Sequence, residues 1–166
     1  MSGISELHSA FKTAWEDAGL TGKFQAYWLA ADRSNYTALN DGEAAPGTPF
    51  PYCVYEIVGG TVTDRMSGRT ADGENYMVQD VPITIKIFAG QHSTTSAKAV
   101  SVALAEEVIK VFGGHPDPTE SPVGLTLTNY GHLLTQYQTD FGARLGDREY
   151  LWTIEYIVRL DMPVSV

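Results

Sequence analysis

The stretch Met77-Val78-Gln79-Asp80-Val81-Pro82-Ile83-Thr84-Ile85-Lys86-Ile87-Phe88 is the one whose reading decides the fold. Val81, Ile83, Ile85 and Ile87 alternate with Asp80, Thr84 and Lys86, the period of two expected of a strand with one apolar face. β-Branched residues fill the apolar positions, where their stiff side chains suit a pleated surface. Pro82 has no amide proton to give a ladder, so this strand is predicted to lie at a sheet edge or to carry a bulge near that point.

Two flanking runs repeat the pattern. In Tyr52 to Val58, Cys53, Tyr55 and Ile57 share one face, and Glu56 marks the wetter one. In Tyr150 to Leu160, Trp152, Ile154, Tyr156 and Val158 alternate with Thr153, Glu155 and Arg159. Shorter strands read at about 125–128 and 133–141. Gly146-Asp147 separates the last two strands, and a glycine that tolerates positive φ there predicts an antiparallel hairpin.

Helical spacing appears twice. Ile4, Leu7, Phe11, Ala14, Trp15 and Ala18 recur every three or four residues, with Ser2 or Ser5 able to cap the start and Gly19 able to close the end. A second helix starts near Ser93-Thr94-Thr95-Ser96 and runs to about Phe112. Its predicted buried stripe is Ala97, Val100, Ala103, Leu104, Val108 and Val111, and Gly113-Gly114 ends it. The order α, β, β, α, β, β has no βαβ repeat. It predicts an α+β fold: a mainly antiparallel sheet of about four to five strands with two helices packed on one face. The length of 166 residues fits one domain over 1–166. Long loops are read at about 32–51, rich in Gly, Pro, Asn and Asp, and at about 59–76. Within 24–51, Tyr27 and Trp28 point to an added strand or an assembly contact.

Composition excludes several classes. With 43% hydrophobic and 19% charged residues the chain can bury a core. No apolar run reaches the roughly 18 residues of a membrane span, and no export signal is read at the N-terminus, which predicts a cytosolic product. The formal net charge is −9, from 20 acidic and 11 basic side chains. The basic residues are scattered singly, which argues against tight nucleic-acid binding; the negative surface suits ordinary solubility, and equally a protein that nucleic acid passes without sticking.

The same reading finds no catalytic constellation. Cys53, the single cysteine, lies in a strand-like run and is predicted to be a buried inert thiol. His8, His92, His115 and His132 have no metal-ligand spacing. Gly68-Arg69-Thr70 resembles the end of a phosphate loop, but position 63 is threonine and arginine replaces the lysine. Asp72-Gly73-Glu74-Asn75 and Asn40-Asp41-Gly42-Glu43 lack the spacing of a calcium loop and read as turns. The expectation is no enzyme, no cofactor and no metal.

The element order and several local sequences resemble bacteriophage tail-terminator and tail-completion proteins of the minor tail protein U type. The carriers are the first helix, the strand Pro51-Tyr52-Cys53-Val54-Tyr55-Glu56 after a Pro-rich loop, and the strand Val81 to Phe88 after a polar loop. The helix Ala97 to Phe112 and the closing hairpin with Trp152-Thr153-Ile154-Glu155-Tyr156 complete the likeness. The resemblance implies a homo-oligomeric ring, commonly a hexamer, which caps the tail tube, ends its polymerisation and presents a surface for head attachment. The implied partners are the tail tube protein and a head-tail connector protein, with DNA passing without specific binding and no membrane. The implied location is the head-proximal end of the virion tail, reached from the host cytoplasm. It also makes 59–76 the candidate lumen lining or inter-subunit contact, through Asp64, Arg65, Arg69, Asp72 and Glu74. A head-tail connector adaptor or tail tube subunit is the alternative. A monomeric binding module or an enzyme of unrecognised type would be favoured by a strict monomer or a deep pocket respectively.

Overall fold

The computed structural model describes residues 3–59, 61–65, 75–117 and 122–164. Its centre is a six-stranded sheet in the order β1-β2-β4-β6-β5, with β3 also paired to β4. The strands are β1 (Leu39–Asp41), β2 (Tyr52–Ile57), β3 (Thr61–Arg65), β4 (Asn75–Gly90), β5 (Gly131–Gly146) and β6 (Glu149–Val164). The helices are α1 (Gly3–Asp17), α2 (Leu20–Gln25), α3 (Asp32–Asn35) and α4 (Ala97–Phe112). The fold is therefore α+β with a mainly antiparallel sheet, the parallel β1–β2 pair being the exception.

The alternation read in the sequence sets the faces of the sheet. Tyr55↔Ile85↔Ile154 and Ile83↔Tyr156 are register rows, and all five residues are buried. Helices α1 and α4 cover this face. Phe11 of α1 stacks on Phe112 of α4 at 4.8 Å and lies 4.7 Å from the Tyr55 ring, so one aromatic side chain joins both helices to β2. Ser96 caps α4 by accepting from the Ala99 amide, and Gly113, at φ 121, ends it. The buried stripe of α4 includes Ser101 and Ala105, while Ala103 is exposed, a rotation of one residue from the predicted stripe.

Three sequence expectations are corrected. First, β4 is an interior strand with no bulge in its ladder to β6. Pro82 is tolerated because it falls opposite a break: the β2 ladder ends at Ile57↔Ile83 and the β3 ladder begins at Thr61↔Asp80. Second, the supposed loop at 59–76 contains β3 and the start of β4. Third, the loop read at about 32–51 carries α3 and β1. Ahead of it, Trp28 is buried with its indole N–H donating to the Pro51 carbonyl at 2.9 Å. Residues 125–128, read as a strand, pair with no strand.

The sheet outreaches its helices. Strands of 16 residues span about 53 Å at the strand rise, whereas the 16 residues of α4 span about 24 Å. Much of β4, β5 and β6 is thus left to be covered by other segments or by none.

Candidate assembly surface

The sheet face away from the helices carries Tyr52, Phe88 and Leu151 in one row, Lys86 and Phe141 in the next, then Glu56, Thr84 and Glu155. Tyr52 stacks on Phe50 and on Phe88, at 5.6 and 5.0 Å, making an aromatic ladder across β2 and β4. Further along, Arg159 donates to both carboxylate oxygens of Asp80, Nε to Oδ1 at 2.7 Å and Nη2 to Oδ2 at 2.9 Å. This forked bond holds the Asp80 carboxyl below its ordinary range.

One border of this sheet is β5. Only β6 pairs with it, so one side of a 16-residue strand has no strand partner among the described residues. Eight large apolar side chains are exposed among those residues, and four of them, Leu133, Leu134, Phe141 and Leu145, lie on β5. Such a concentration on an unpaired edge is the feature that natural monomers avoid. Register shifts at His132/Leu134, Tyr137/Thr139 and Arg144/Gly146 bend the strand without breaking it.

The other side of β5 is pinned. The Tyr137 hydroxyl donates to Asp140, and the Trp152 indole N–H donates to the same carboxylate at 2.7 Å. Burial and the Asp140 carboxylate push the Tyr137 hydroxyl up to about 12. Tyr156 donates to the Gly113 carbonyl at 2.8 Å, which ties the end of α4 to β6. Gly142 lies where a Cβ would come within 2.6 Å of the Trp152 and Tyr150 rings, so the strand passes flat against them. The strand is thus held on its β6 side and, among the described residues, has no strand on its outer side.

On the opposite side of β4 the sheet ends in β3, five residues long and paired only to β4, and in the three-residue β1. Asp64 and Arg65, two of the sequence candidates, are in β3, in register with Val78 and Met77. Arg69, Asp72 and Glu74 lie outside the described residues. The strand read at about 133–141 is β5, but its place at the border was not read from the sequence. The signal for it is the run from Leu133 to Leu145, with apolar residues at both parities and few charges.

Among the described residues no cluster of three or more His, Cys, Asp or Glu side chains could hold a metal ion. Cys53 is fully buried and burial raises its thiol, so it is not a nucleophile. His8 is engaged by Tyr55 and Asp41, at 3.3 and 3.5 Å, and His132 accepts from the Leu125 amide at 3.2 Å. Among the described residues no helix is long and apolar enough to cross a membrane.

Neither a family model nor a curated protein matches the sequence. A solved structure of the virion of a native gene transfer agent particle contains a similar chain, with a TM-score of 0.42 and 17% identity, covering 82% of this chain and 89% of that one.

Proposed function

We propose that this protein is a virion-assembly subunit that closes into a ring on the end of a phage tail tube, stops its growth and offers a surface for head attachment. One observation carries the reading: a 16-residue strand, β5, with four exposed apolar side chains and, among the described residues, no strand partner on its outer side. The opposite border, β3, is free as well. Two different free borders on one sheet allow a head-to-tail contact, β5 of one copy against β3 of the next, and a heterologous contact of this kind generates a ring when the rotation closes. Asp64 and Arg65 then lie at the junction between copies. The sequence resemblance to tail terminators supplies the specific role, and the net charge of −9 suits a lumen through which DNA moves without adhering.

Light scattering across a concentration series, with negative-stain images of the largest species, tests this. A closed ring of about six copies with a central hole is expected. Open-ended tubes would make the protein a tube subunit, and a strict monomer at every concentration would refute self-assembly through the sheet borders.

A further inference from the structure

A second surface lies beside α1, lined by no residue of β5. Between α1 and the segment that leads into β5 runs an open groove of about 520 Å³, within the usual volume range of binding clefts. Ser9, Thr13 and Asp17 form its helical wall at four-residue spacing, and all three are exposed. Ala10 and Ala14 form the floor, where the absence of longer side chains leaves the helix backbone approachable.

The opposite wall is backbone. Segment 122–127 is neither helix, strand nor turn. Its Val123 amide donates to the Val111 carbonyl at 2.7 Å, and its Leu125 amide donates to His132 Nδ1 at 3.2 Å, with the Leu125 side chain buried. Gly124 and Thr126, the alternate residues, line the groove, are exposed, and their amides have no partner among the described residues. Val123 and Leu127 line the groove as well, so this wall is irregular backbone in which the Gly124 and Thr126 amides are left to pair with an added strand. Glu6 fixes this wall: its carboxylate accepts from the Thr128 and Asn129 amides, both at 3.0 Å, and from the Asn129 side chain.

We propose that this groove binds an extended, basic peptide segment of a partner protein, which adds to residues 124–126 as a strand and lies along α1. From Glu6 to Asp17 the helix rises about 17 Å, room for about five extended residues. Charge selects the partner. The charged groups lining the groove are Glu6 and Asp17, both acidic. Glu6 is occupied by the 128–129 backbone, which leaves Asp17 at the open end to meet a cation. A second copy of a chain with net charge −9 is a poor match for that position, and a Lys- or Arg-bearing segment is a good one.

The test is selection of a random heptapeptide display library on the immobilised full-length protein, followed by fluorescence anisotropy with the recovered peptides. Recovered sequences should share a basic residue. Their affinity should fall at least about ten-fold both in Thr13→Tyr, which fills the groove from an exposed helix position, and in Asp17→Lys. The Gly124 and Thr126 amide resonances should shift on titration of the wild-type protein. No enrichment, peptides without basic residues, or binding that survives both substitutions would overturn the proposal. Loss of assembly through β5 would leave this outcome untouched, because the groove does not include the strand.

Discussion

Replacing Phe141 by lysine puts a charge in the middle of the free border of β5, on the sheet face away from the helices. Phe141 is 50% exposed in the isolated subunit. Of a side chain that can bury about 200 Å², about 100 Å² is left for a neighbouring copy. At about 25 cal/mol per Å², its burial at a subunit contact contributes about 2.5 kcal/mol, or about 70-fold in the dissociation constant of each contact. Lysine recovers part of the area through its aliphatic stem but adds an ammonium that must be desolvated, so the loss is at least of that order. Sedimentation velocity over a concentration series reads the association, and circular dichroism confirms that the monomer folds. A Phe141→Lys protein that folds and associates within about three-fold of wild type would remove β5 from the interface and with it the reason for proposing a ring.

Four further outcomes follow from the same structure. Tyr156→Phe removes a buried hydroxyl that donates to the Gly113 carbonyl and leaves that acceptor unpaired, so the urea midpoint should fall by an amount equivalent to about 1–2 kcal/mol. Gly142→Ala drives a methyl group into the Trp152 and Tyr150 rings and should cost about 1–3 kcal/mol by the same measurement. The Glu6 carboxyl is held below its ordinary value of 4.5 chiefly by the Asn129 amide. Its contribution is therefore fully present above that pH and is lost as pH falls through the lower folded value. Thermal melts from pH 6 to pH 3 should show a shallower decline for Glu6→Gln than for wild type, though not a flat one, because Asp80 and Glu107 are shifted in the same direction. Finally, raising salt from about 20 to about 200 mM should strengthen self-association, because screening relieves repulsion between copies of net charge −9 while an apolar edge contact is little affected.

The elements that alternate or recur cleanly were legible in the sequence: α1, α4, β2, β4 and β6 lie within a few residues of their predicted spans. Each has a buried face repeated often enough to reveal its period. The rest was hidden for physical reasons. β1 is three residues long and held by parallel pairing to β2, a tertiary contact with no local pattern. β3 is five residues long with a single apolar residue, Val62, too few to show a period, and its pairing to β4 is a tertiary contact. Pro82 reads as an edge marker because a lone strand gives no hint that its partner on one side is interrupted there. Of the candidate contacts, the charged residues Asp64 and Arg65 drew notice, whereas the strand read at about 133–141 lies within β5 but carries no sequence mark of its place at the border. Leucine and phenylalanine on a strand look the same in sequence whether they face a helix or solvent.

The two borders of the sheet divide the requirements of assembly between them. β5 carries only His132, Asp140 and Arg144 as titratable side chains besides Tyr137, and Asp140 is turned inward to Tyr137 and Trp152. Contact along it therefore gains from water release and backbone pairing, terms that act only at close range and do not depend on salt. The net negative charge acts over about a Debye length, roughly 10 Å at 0.1 M salt, and penalises every extra copy brought near. A short-range attraction confined to one border, opposed by a longer-range repulsion spread over the surface, favours contacts in which each copy uses β5 once and then stops. It disfavours open-ended stacking, where each added copy meets the repulsion of all its neighbours. For the ring proposed above, which must end growth rather than continue it, this balance is the one required, and it favours a basic partner in the groove proposed beside α1.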